Sequence, residues 1–178
     1  MPARNIALIT GANKGIGFEI ARQLGALQTV VLIGARDEAR GDQAADALRA
    51  QGLQAAALRL DVTDGAAIAR AAIQIEEQYG RLDILVNNAG ISSRFRGAPS
   101  EVTVDQMREV YDTNVFGVMA VTNEMLPLLR RSAAGRIVNM SSGLGSLTLN
   151  SDPESEFGTY NIIAYQSSKT ALNAITIA

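Results

Sequence analysis

The feature that most constrains the fold of this 178-residue chain is a regular alternation along its sequence. Short apolar runs alternate with longer segments in which apolar residues recur at helical spacing, which predicts βαβ units and a parallel sheet. We predict strands over residues 5–10, 29–35, 53–60, 82–88 and 136–140. The fourth contains Ile84, Leu85 and Val86 in succession, and we therefore expect it to lie in the interior of the sheet.

Helical periodicity fills the segments between these strands. Helices are predicted over residues 15–27, 37–51, 63–80, 103–131 and from about Tyr165 to Ala178, with a long polar loop over 143–164. Thr63 is a candidate cap, and Gly52 and Gly80 are candidate stops. Thr103 and Gln106 have capping-box spacing, and Pro127 inside this pattern allows a kink or an early end of the helix. The pattern predicts an α/β fold: a Rossmann-type, doubly wound parallel sheet with helices on both faces, in one domain over residues 1–178.

Composition narrows the chemistry. Hydrophobic residues make up 47% and charged residues 19% of the chain, as in globular domains. The net charge is −2 and no segment concentrates Lys and Arg, which argues against nucleic-acid binding. The chain has no Cys and no His, so we expect no metal site, and acid–base chemistry must use Tyr, Lys, Asp or Glu. With no signal-peptide pattern and no membrane-length apolar run, we expect a cytoplasmic protein without a membrane partner.

A glycine-rich segment, Thr10-Gly-Ala-Asn-Lys-Gly-Ile-Gly17, joins the first predicted strand to the first helix. Glycines at such a turn let the backbone approach a pyrophosphate, and the helix N-terminus presents free N–H groups to it. The candidate dinucleotide-binding residues of this loop are Gly11, Asn13, Lys14, Gly15, Ile16 and Gly17. An ordinary glycine-rich turn is the alternative.

The end of the second strand indicates which nicotinamide coenzyme is used. NAD enzymes place a carboxylate there for the ribose 2′-hydroxyl, whereas this strand ends Gly34-Ala35-Arg36. Arg36 and Lys14 suit a 2′-phosphate, which predicts NADP(H). The two cations could instead be merely solvated, and Asp37 would serve NAD(H) if the register shifted by one residue.

Tyr165 and Lys169 stand four residues apart, on one face of the last predicted helix. A phenol with a pKa of about 10 is a poor acid–base group at neutral pH, and a nearby ammonium lowers that pKa. Alone, such a pair is also common on solvent-facing helices. Tyr160 is a competing tyrosine, but Ala164 stands where its lysine would be. We therefore favour Tyr165 as the acid–base residue.

Three further segments carry polar residues at informative places. Asn87-Asn-Ala-Gly90 ends the fourth strand, at the sheet edge where cofactors bind. Asn114 stands in the middle of a predicted helix, where its low helix propensity calls for a reason. Ser142 ends the fifth strand, with Ser141 beside it as an alternative.

With these segments in this order, the chain resembles the short-chain dehydrogenase/reductase family over nearly its whole length. The resemblance implies a catalytic tetrad of Asn114, Ser142, Tyr165 and Lys169. Tyr165 would pass a proton to a carbonyl oxygen, and Ser142 would donate a hydrogen bond to the same oxygen. Lys169 would tune the phenol and hold the nicotinamide ribose, and Asn114 would position a water.

The resemblance also implies coenzyme contacts outside the glycine loop. Asp61 would bind the adenine amine, and an ordinary helix-flanking Asp in a turn is the alternative. The full implied set adds Arg36, Asp61, Val62, Asn88, Ala89, Gly90, Tyr165 and Lys169 to the loop residues. Ser142 and Tyr165 are 165 − 142 = 23 positions apart. In this long separation the chain resembles the carbonyl-reductase branch of the family.

The resemblance to this family also implies a function for the chain and a missing C-terminal part. It implies an NADPH-dependent oxidoreductase acting on a small carbonyl or alcohol, with the family's C-terminal strands missing from an apparently truncated chain. Two other classes stay open. One is a catalytically inactive dinucleotide-binding fragment or module. The other is an assembly protein that uses the small-residue face of the last helix, and the long helices could also support a homo-oligomer.

Overall fold

The computed structural model describes residues 4–92 and 97–177. Its strands are β1 (Ile6–Thr10), β2 (Val30–Ala35), β3 (Ala55–Arg59), β4 (Ile84–Asn87) and β5 (Arg136–Asn139). Its helices are α1 (Gly15–Ala26), α2 (Glu38–Arg49), α3 (Gly65–Tyr79), α4 (Val104–Tyr111), α5 (Gly117–Leu129), α6 (Leu147–Ser151) and α7 (Ile163–Thr176). All five predicted strands are confirmed, and Ala178, at which the last predicted helix is still running, lies outside the described residues.

The chain forms two compact units. The first consists of the residues up to Ala89 together with Met119–Val138, and the second of Gly90–Val118 together with the residues from Asn139 onward. The first unit holds the sheet and the glycine loop. The second holds the four residues of the predicted tetrad. That residues 1–178 form one domain stays a prediction.

The sheet has the order β3-β2-β1-β4-β5, and the pairs β1–β2, β1–β4 and β2–β3 are parallel. As predicted, β4 is an interior strand. Alternate side chains of β1 explain why helices flank the sheet on both faces: Ile6 and Leu8 join a core built with α3 and α5, whereas Ala7 and Ile9 are equally buried on the other face. Within the described part of the chain, no helix is both long enough and apolar enough to cross a membrane.

Three local expectations need correction. Asp64, and not Thr63, caps α3, because its carboxylate accepts from Ala66 N and Ala67 N while the Thr63 hydroxyl bonds to Asp61. The segment 143–164 is not all loop: it contains a 3₁₀ turn, Gly143–Gly145, and helix α6. The predicted helix over 103–131 is interrupted at Asp112–Phe116 by a π-helical turn, while Pro127 is accommodated inside α5.

Candidate active site

The glycine loop between β1 and α1 has the geometry of an anion site. Gly11 and Gly15 adopt left-handed φ angles of +65° and +61°, which glycine takes without steric strain. Lys14 is the N-cap residue of α1, and its side chain makes no capping hydrogen bond. The first-turn N–H groups therefore remain available for an anion, which the helix dipole also favours.

Asn88 braces this loop from the end of β4. Its Nδ2 donates to Thr10 O at 2.9 Å and to Gly11 O at 3.3 Å. A Cβ on Gly17 would collide with the same amide, and one on Gly11 would lie 2.9 Å from Ala89 Cα. Both glycines are thus required by close packing. A pyrophosphate would suit this loop, because these contacts fix its backbone and the first-turn N–H groups of α1 have no side-chain cap.

The loop yields a testable contrast between two glycines. Gly17→Ala should weaken binding of a nicotinamide dinucleotide at least tenfold and destabilise the fold by about 1–3 kcal/mol, because the new methyl displaces Asn88. Gly65→Ala is the matched control, since a Cβ at the start of α3 meets nothing within 4 Å. Fluorescence titration and thermal melting measure both effects. Wild-type dinucleotide affinity in Gly17→Ala would contradict the assignment of this loop.

A groove of about 460 Å³ opens beside the glycine loop. It is lined by Asn13, Lys14, Phe18, Arg40, Gln43, Ala44 and Ala47. Lys14 and Arg40 make its lining basic. Arg36, the other predicted cation, is exposed just after β2 and is not among the lining residues of the groove.

Asp37, which would have served NAD(H), is engaged elsewhere. Its carboxylate caps α2 by accepting from Arg40 N at 3.1 Å, and it pairs with Arg40 Nε at 3.5 Å. A carboxylate that satisfies a helix end is less available to a ribose hydroxyl. Arg40 was not among the coenzyme-binding residues predicted from the sequence. The signal was present, because a cation in the first turn of a helix opposes the helix dipole and calls for a reason.

Asp61, the predicted adenine contact, and Val62, another predicted coenzyme-binding residue, are placed differently from each other. Asp61 is half-buried after β3, and its Oδ1 accepts from Thr63 N at 3.0 Å and from the Thr63 hydroxyl at 2.8 Å. The Val62 side chain is buried in the core, 8% exposed. Any contact that Val62 makes with a coenzyme must therefore use its backbone.

In the second unit, Tyr165 and Lys169 project from the same face of α7. Lys169 Nζ lies 5.6 Å from the centroid of the Tyr165 ring and donates to Met140 O at 2.6 Å. Lys169 is 5% exposed, and none of the ion pairs found in residues 4–92 and 97–177 includes it. Burial lowers the pKa of the Lys169 ammonium below its usual value. A buried lysine without a counter-ion is costly to the fold and is typical of functional sites.

Asn114 lies in the π-helical turn and is fully buried. Its Oδ1 accepts from Ile91 N and its Nδ2 donates to Ile91 O, both at 2.8 Å. Nδ2 also donates to Ser168 Oγ at 3.0 Å. A Cβ on Gly90 would lie 3.3 Å from Asn114 Oδ1 and 3.7 Å from Lys169 Nζ, so the backbone passes close to both groups. This arrangement accounts for an asparagine inside a helix.

The two adjacent serines after β5 have different partners. The Ser141 hydroxyl is exposed and donates to Asn173 Oδ1 of α7. Ser142 is half-buried, and its Oγ accepts from Leu144 N at 3.2 Å, which caps the 3₁₀ turn. That turn packs on α7, where a Cβ on Gly145 would lie 2.9 Å from Lys169. The Ser142 O–H hydrogen is not used in its capping bond.

Comparison with known proteins identifies the family. The short chain dehydrogenase family model matches residues 5–178. The chain is 38% identical over 177 residues to the short-chain dehydrogenase anuI of Penicillium roqueforti, covering 96% of this chain and 69% of that protein. It is 44% identical over 138 residues to the NADPH carbonyl reductase 1 of Bos taurus, covering 77% and 48%.

Solved structures agree with this. A variant of actinorhodin polyketide ketoreductase solved with NADPH matches with a TM-score of 0.84 and 33% identity, over 97% of this chain and 62% of that one. A short chain dehydrogenase/reductase of Burkholderia phymatum solved with NAD matches with a TM-score of 0.84 and 30% identity, over 98% and 58%. The chain spans between 48% and 69% of the length of the two curated relatives. With its family model matched from residue 5 onward, the chain belongs to the short-chain dehydrogenase family.

Proposed function

We propose that this protein is an NADPH-dependent oxidoreductase that transfers hydride between nicotinamide and a small carbonyl or alcohol substrate. The observation that carries the proposal is the Lys169 ammonium, buried without an ion pair in the described residues and 5.6 Å from the Tyr165 ring. Proton exchange with a carbonyl oxygen needs an acid–base side chain held in place, and the Tyr165 phenol is the one beside this buried cation. The chain offers no histidine for this task.

Each member of the tetrad has a role that its own contacts support. Tyr165 gives its phenolic proton to the carbonyl oxygen during reduction and takes it back during oxidation. Ser142 donates its O–H hydrogen to the same oxygen. Its capping bond does not use that hydrogen, because in it the hydroxyl oxygen accepts from Leu144 N. Lys169 is held in place by Met140 O. When bound, the coenzyme supplies the hydride.

Asn114 contributes through its position. Both hydrogens of its side-chain amide are used, one by Ile91 O and the other by Ser168 Oγ. No side-chain donor is left for a water or a substrate, so the amide acts as a clamp between the segment after β4 and helix α7. Oδ1 keeps a second lone pair that could accept from a water, so the water-positioning role that the family resemblance implied stays a prediction.

Two features support NADP(H) over NAD(H). Lys14 and Arg40 both line the groove beside the glycine loop, where they could bind a 2′-phosphate. Asp37, the alternative partner of a free ribose hydroxyl, is occupied as the cap of α2. Among the matched proteins, the ketoreductase was solved with NADPH and the Burkholderia phymatum enzyme with NAD, so the local charges carry this part of the proposal.

Coenzyme preference can be tested with Arg40→Ala and Lys14→Ala. Each should raise KM for NADPH about tenfold or more and leave KM for NADH nearly unchanged, because only the 2′-phosphate meets the lost charge. Arg70→Ala on α3, an exposed arginine outside the groove lining, is the control and should change neither value. Equal changes in KM for NADPH and NADH would show that Lys14 and Arg40 do not bind the 2′-phosphate.

The activity itself is tested by assaying the full-length protein with NADPH and NADH against a panel of ketones, aldehydes and cyclic enones. We expect NADPH oxidation that depends on the carbonyl substrate. Coenzyme binding without turnover across the whole panel would instead support a dinucleotide-binding module. If the protein bound neither NADPH nor NADH, both the oxidoreductase and the dinucleotide-binding module would be rejected.

A further inference from the structure

Ser168 lies at the centre of a buried hydrogen-bond path that joins two members of the tetrad. Its side chain, like that of Asn114, is 0% exposed. Ser168 Oγ accepts from Asn114 Nδ2 at 3.0 Å and donates to Tyr165 O at 2.7 Å. One hydroxyl therefore connects the π-helical turn to the backbone of the residue proposed as the acid.

The other contacts of Asn114 leave only one hydrogen of its side-chain amide for the bond to Ser168. Ile91 accepts one amide hydrogen and donates to Oδ1, both at 2.8 Å, so only the second amide hydrogen is free to reach α7. Ser168 is its acceptor. Without that oxygen, a buried N–H group would lose its partner, which costs more than the loss of an average hydrogen bond. Ser168 thus fixes the one orientation in which every polar atom of the Asn114 amide is satisfied.

The place of Ser168 on α7 decides what the link orients. Tyr165, Ser168 and Lys169 stand at positions i, i+3 and i+4 and therefore share one face of the helix. Lys169 is tied separately to Met140 O. The bond at Ser168 holds this shared face against Asn114, so that the phenol and the ammonium meet the π-helical turn in a fixed rotation.

We propose that Ser168 is a positioning residue for the reaction: it aligns the Tyr165–Lys169 face of α7 with Asn114. The proposal rests on the proposed function, because it assigns Ser168 to the same site. It is distinct from a role in helix stability. The neighbouring Ser167 also bonds back along α7, with Oγ donating to Ile163 O at 2.7 Å, but it has no contact with Asn114 among its described hydrogen bonds.

This difference provides a matched pair of variants in the full-length protein, Ser168→Ala and Ser167→Ala. Each removes one serine hydroxyl that donates back along α7, from Ser168 to Tyr165 O and from Ser167 to Ile163 O and Ala164 O. We expect Ser168→Ala to lower kcat roughly tenfold to a hundredfold with little change in the KM of the carbonyl substrate, since misalignment affects the proton transfer more than binding. Ser167→Ala should keep wild-type kcat and KM.

A second measurement keeps the test decisive if Ser168→Ala folds poorly. Ser168→Cys keeps a donor and an acceptor at the same position but weakens both hydrogen bonds, so its kcat should fall between those of the wild type and Ser168→Ala. In a double-mutant cycle, Ser168→Ala should have almost no further effect on kcat in an Asn114→Ala background, because its action passes through that amide. Thermal melting of every variant separates misalignment from unfolding.

The proposal is overturned if Ser168→Ala and Ser167→Ala have equal kcat, or if the effects of Ser168→Ala and Asn114→Ala on kcat simply multiply. Both results presuppose an active wild-type protein. An inactive wild type under the same assay rejects the proposed function and with it the role of Ser168. The two failures are therefore distinguishable.

Discussion

In Tyr165→Phe, we expect kcat for carbonyl reduction to fall about 10²–10⁴-fold, because the variant keeps the ring and removes the only proton that Tyr165 can transfer. The packing of the site should survive. The ring lies 5.6 Å from Lys169 Nζ in a contact that does not use the hydroxyl, and the Ser168 bond goes to the Tyr165 backbone carbonyl. Coenzyme affinity should therefore stay close to that of the wild type. Steady-state kinetics and a coenzyme titration measure the two quantities.

Tyr160→Phe is the control for this prediction. Tyr160 is 52% exposed, lies five positions earlier in the chain and has no lysine four residues later. Its replacement should leave kcat unchanged. If Tyr165→Phe retained wild-type turnover, Tyr165 could not be the acid, and a loss in Tyr160→Phe would move that role to the other tyrosine.

The largest expected effect on stability comes from Asp83, just before β4. It is 6% exposed, and its carboxylate accepts from Ile6 N at 2.8 Å, from Ser132 Oγ at 2.6 Å and from Arg81 Nε at 3.1 Å. These contacts join the start of β1, the approach to β4 and the turn after α5. Asp83→Asn should lower the free energy of unfolding by about 2–4 kcal/mol, since it removes the charge that a buried backbone donor, a half-buried hydroxyl and a guanidinium surround.

Asp105→Asn is the matched control for Asp83→Asn. The Asp105 side chain is 90% exposed and pairs with Arg108 at the surface of α4. A pair of this kind contributes at most about 1 kcal/mol. Urea denaturation of the three proteins at neutral pH measures the difference. An equal loss of unfolding free energy in the two variants would show that the contacts of Asp83 stabilise the fold no more than a surface ion pair does.

The same carboxyl group predicts how stability depends on pH. Burial alone would raise the pKa of Asp83, but the hydrogen bonds from Ser132, Ile6 and Arg81, together with the Arg81 charge, outweigh burial and lower it. Because the folded-state pKa is below the unfolded value of about 3.9, the contribution of the carboxylate is present above about pH 4 and is lost as the pH falls through the folded-state pKa. The stability gap between wild type and Asp83→Asn should therefore shrink at low pH. A gap that stays constant down to about pH 2 would contradict this.

Features that depend on neighbouring residues were predicted well from the sequence. Gln106 N donates to Thr103 Oγ1 and Thr103 N donates to Gln106 Oε1, as the capping-box spacing predicted. Gly80 ends α3 with a left-handed φ of +71°. The glycine loop and the Tyr165–Lys169 spacing belong to the same class. In each case the interacting groups are within a few residues, so the chain places them together once the local backbone forms.

Features that depend on competition between partners were not predictable. Thr63 and Asp64 are both good capping residues, and the turn made by Asp61 decided between them by engaging the Thr63 hydroxyl. Arg40 joins Lys14 in one groove only because α2 packs where it does. Ser168 belongs to the small-residue face of the last predicted helix, and its link to Asn114, 54 positions away, exists only in the folded second unit.

By itself, the sequence predicted the succession of strands and helices, the glycine loop after β1 and the placement of Tyr165 and Lys169 on one helix face, because these follow from periodicity, glycine conformation and i, i+4 spacing. Only the tertiary structure decided which of the candidate polar groups are already satisfied. It assigned Asp37 to a helix cap, both Asn114 amide hydrogens to protein acceptors and the Ser141 hydroxyl to Asn173. The physical reason is that a buried donor or acceptor takes whichever partner the fold brings within about 3 Å, and sequence spacing does not contain that distance.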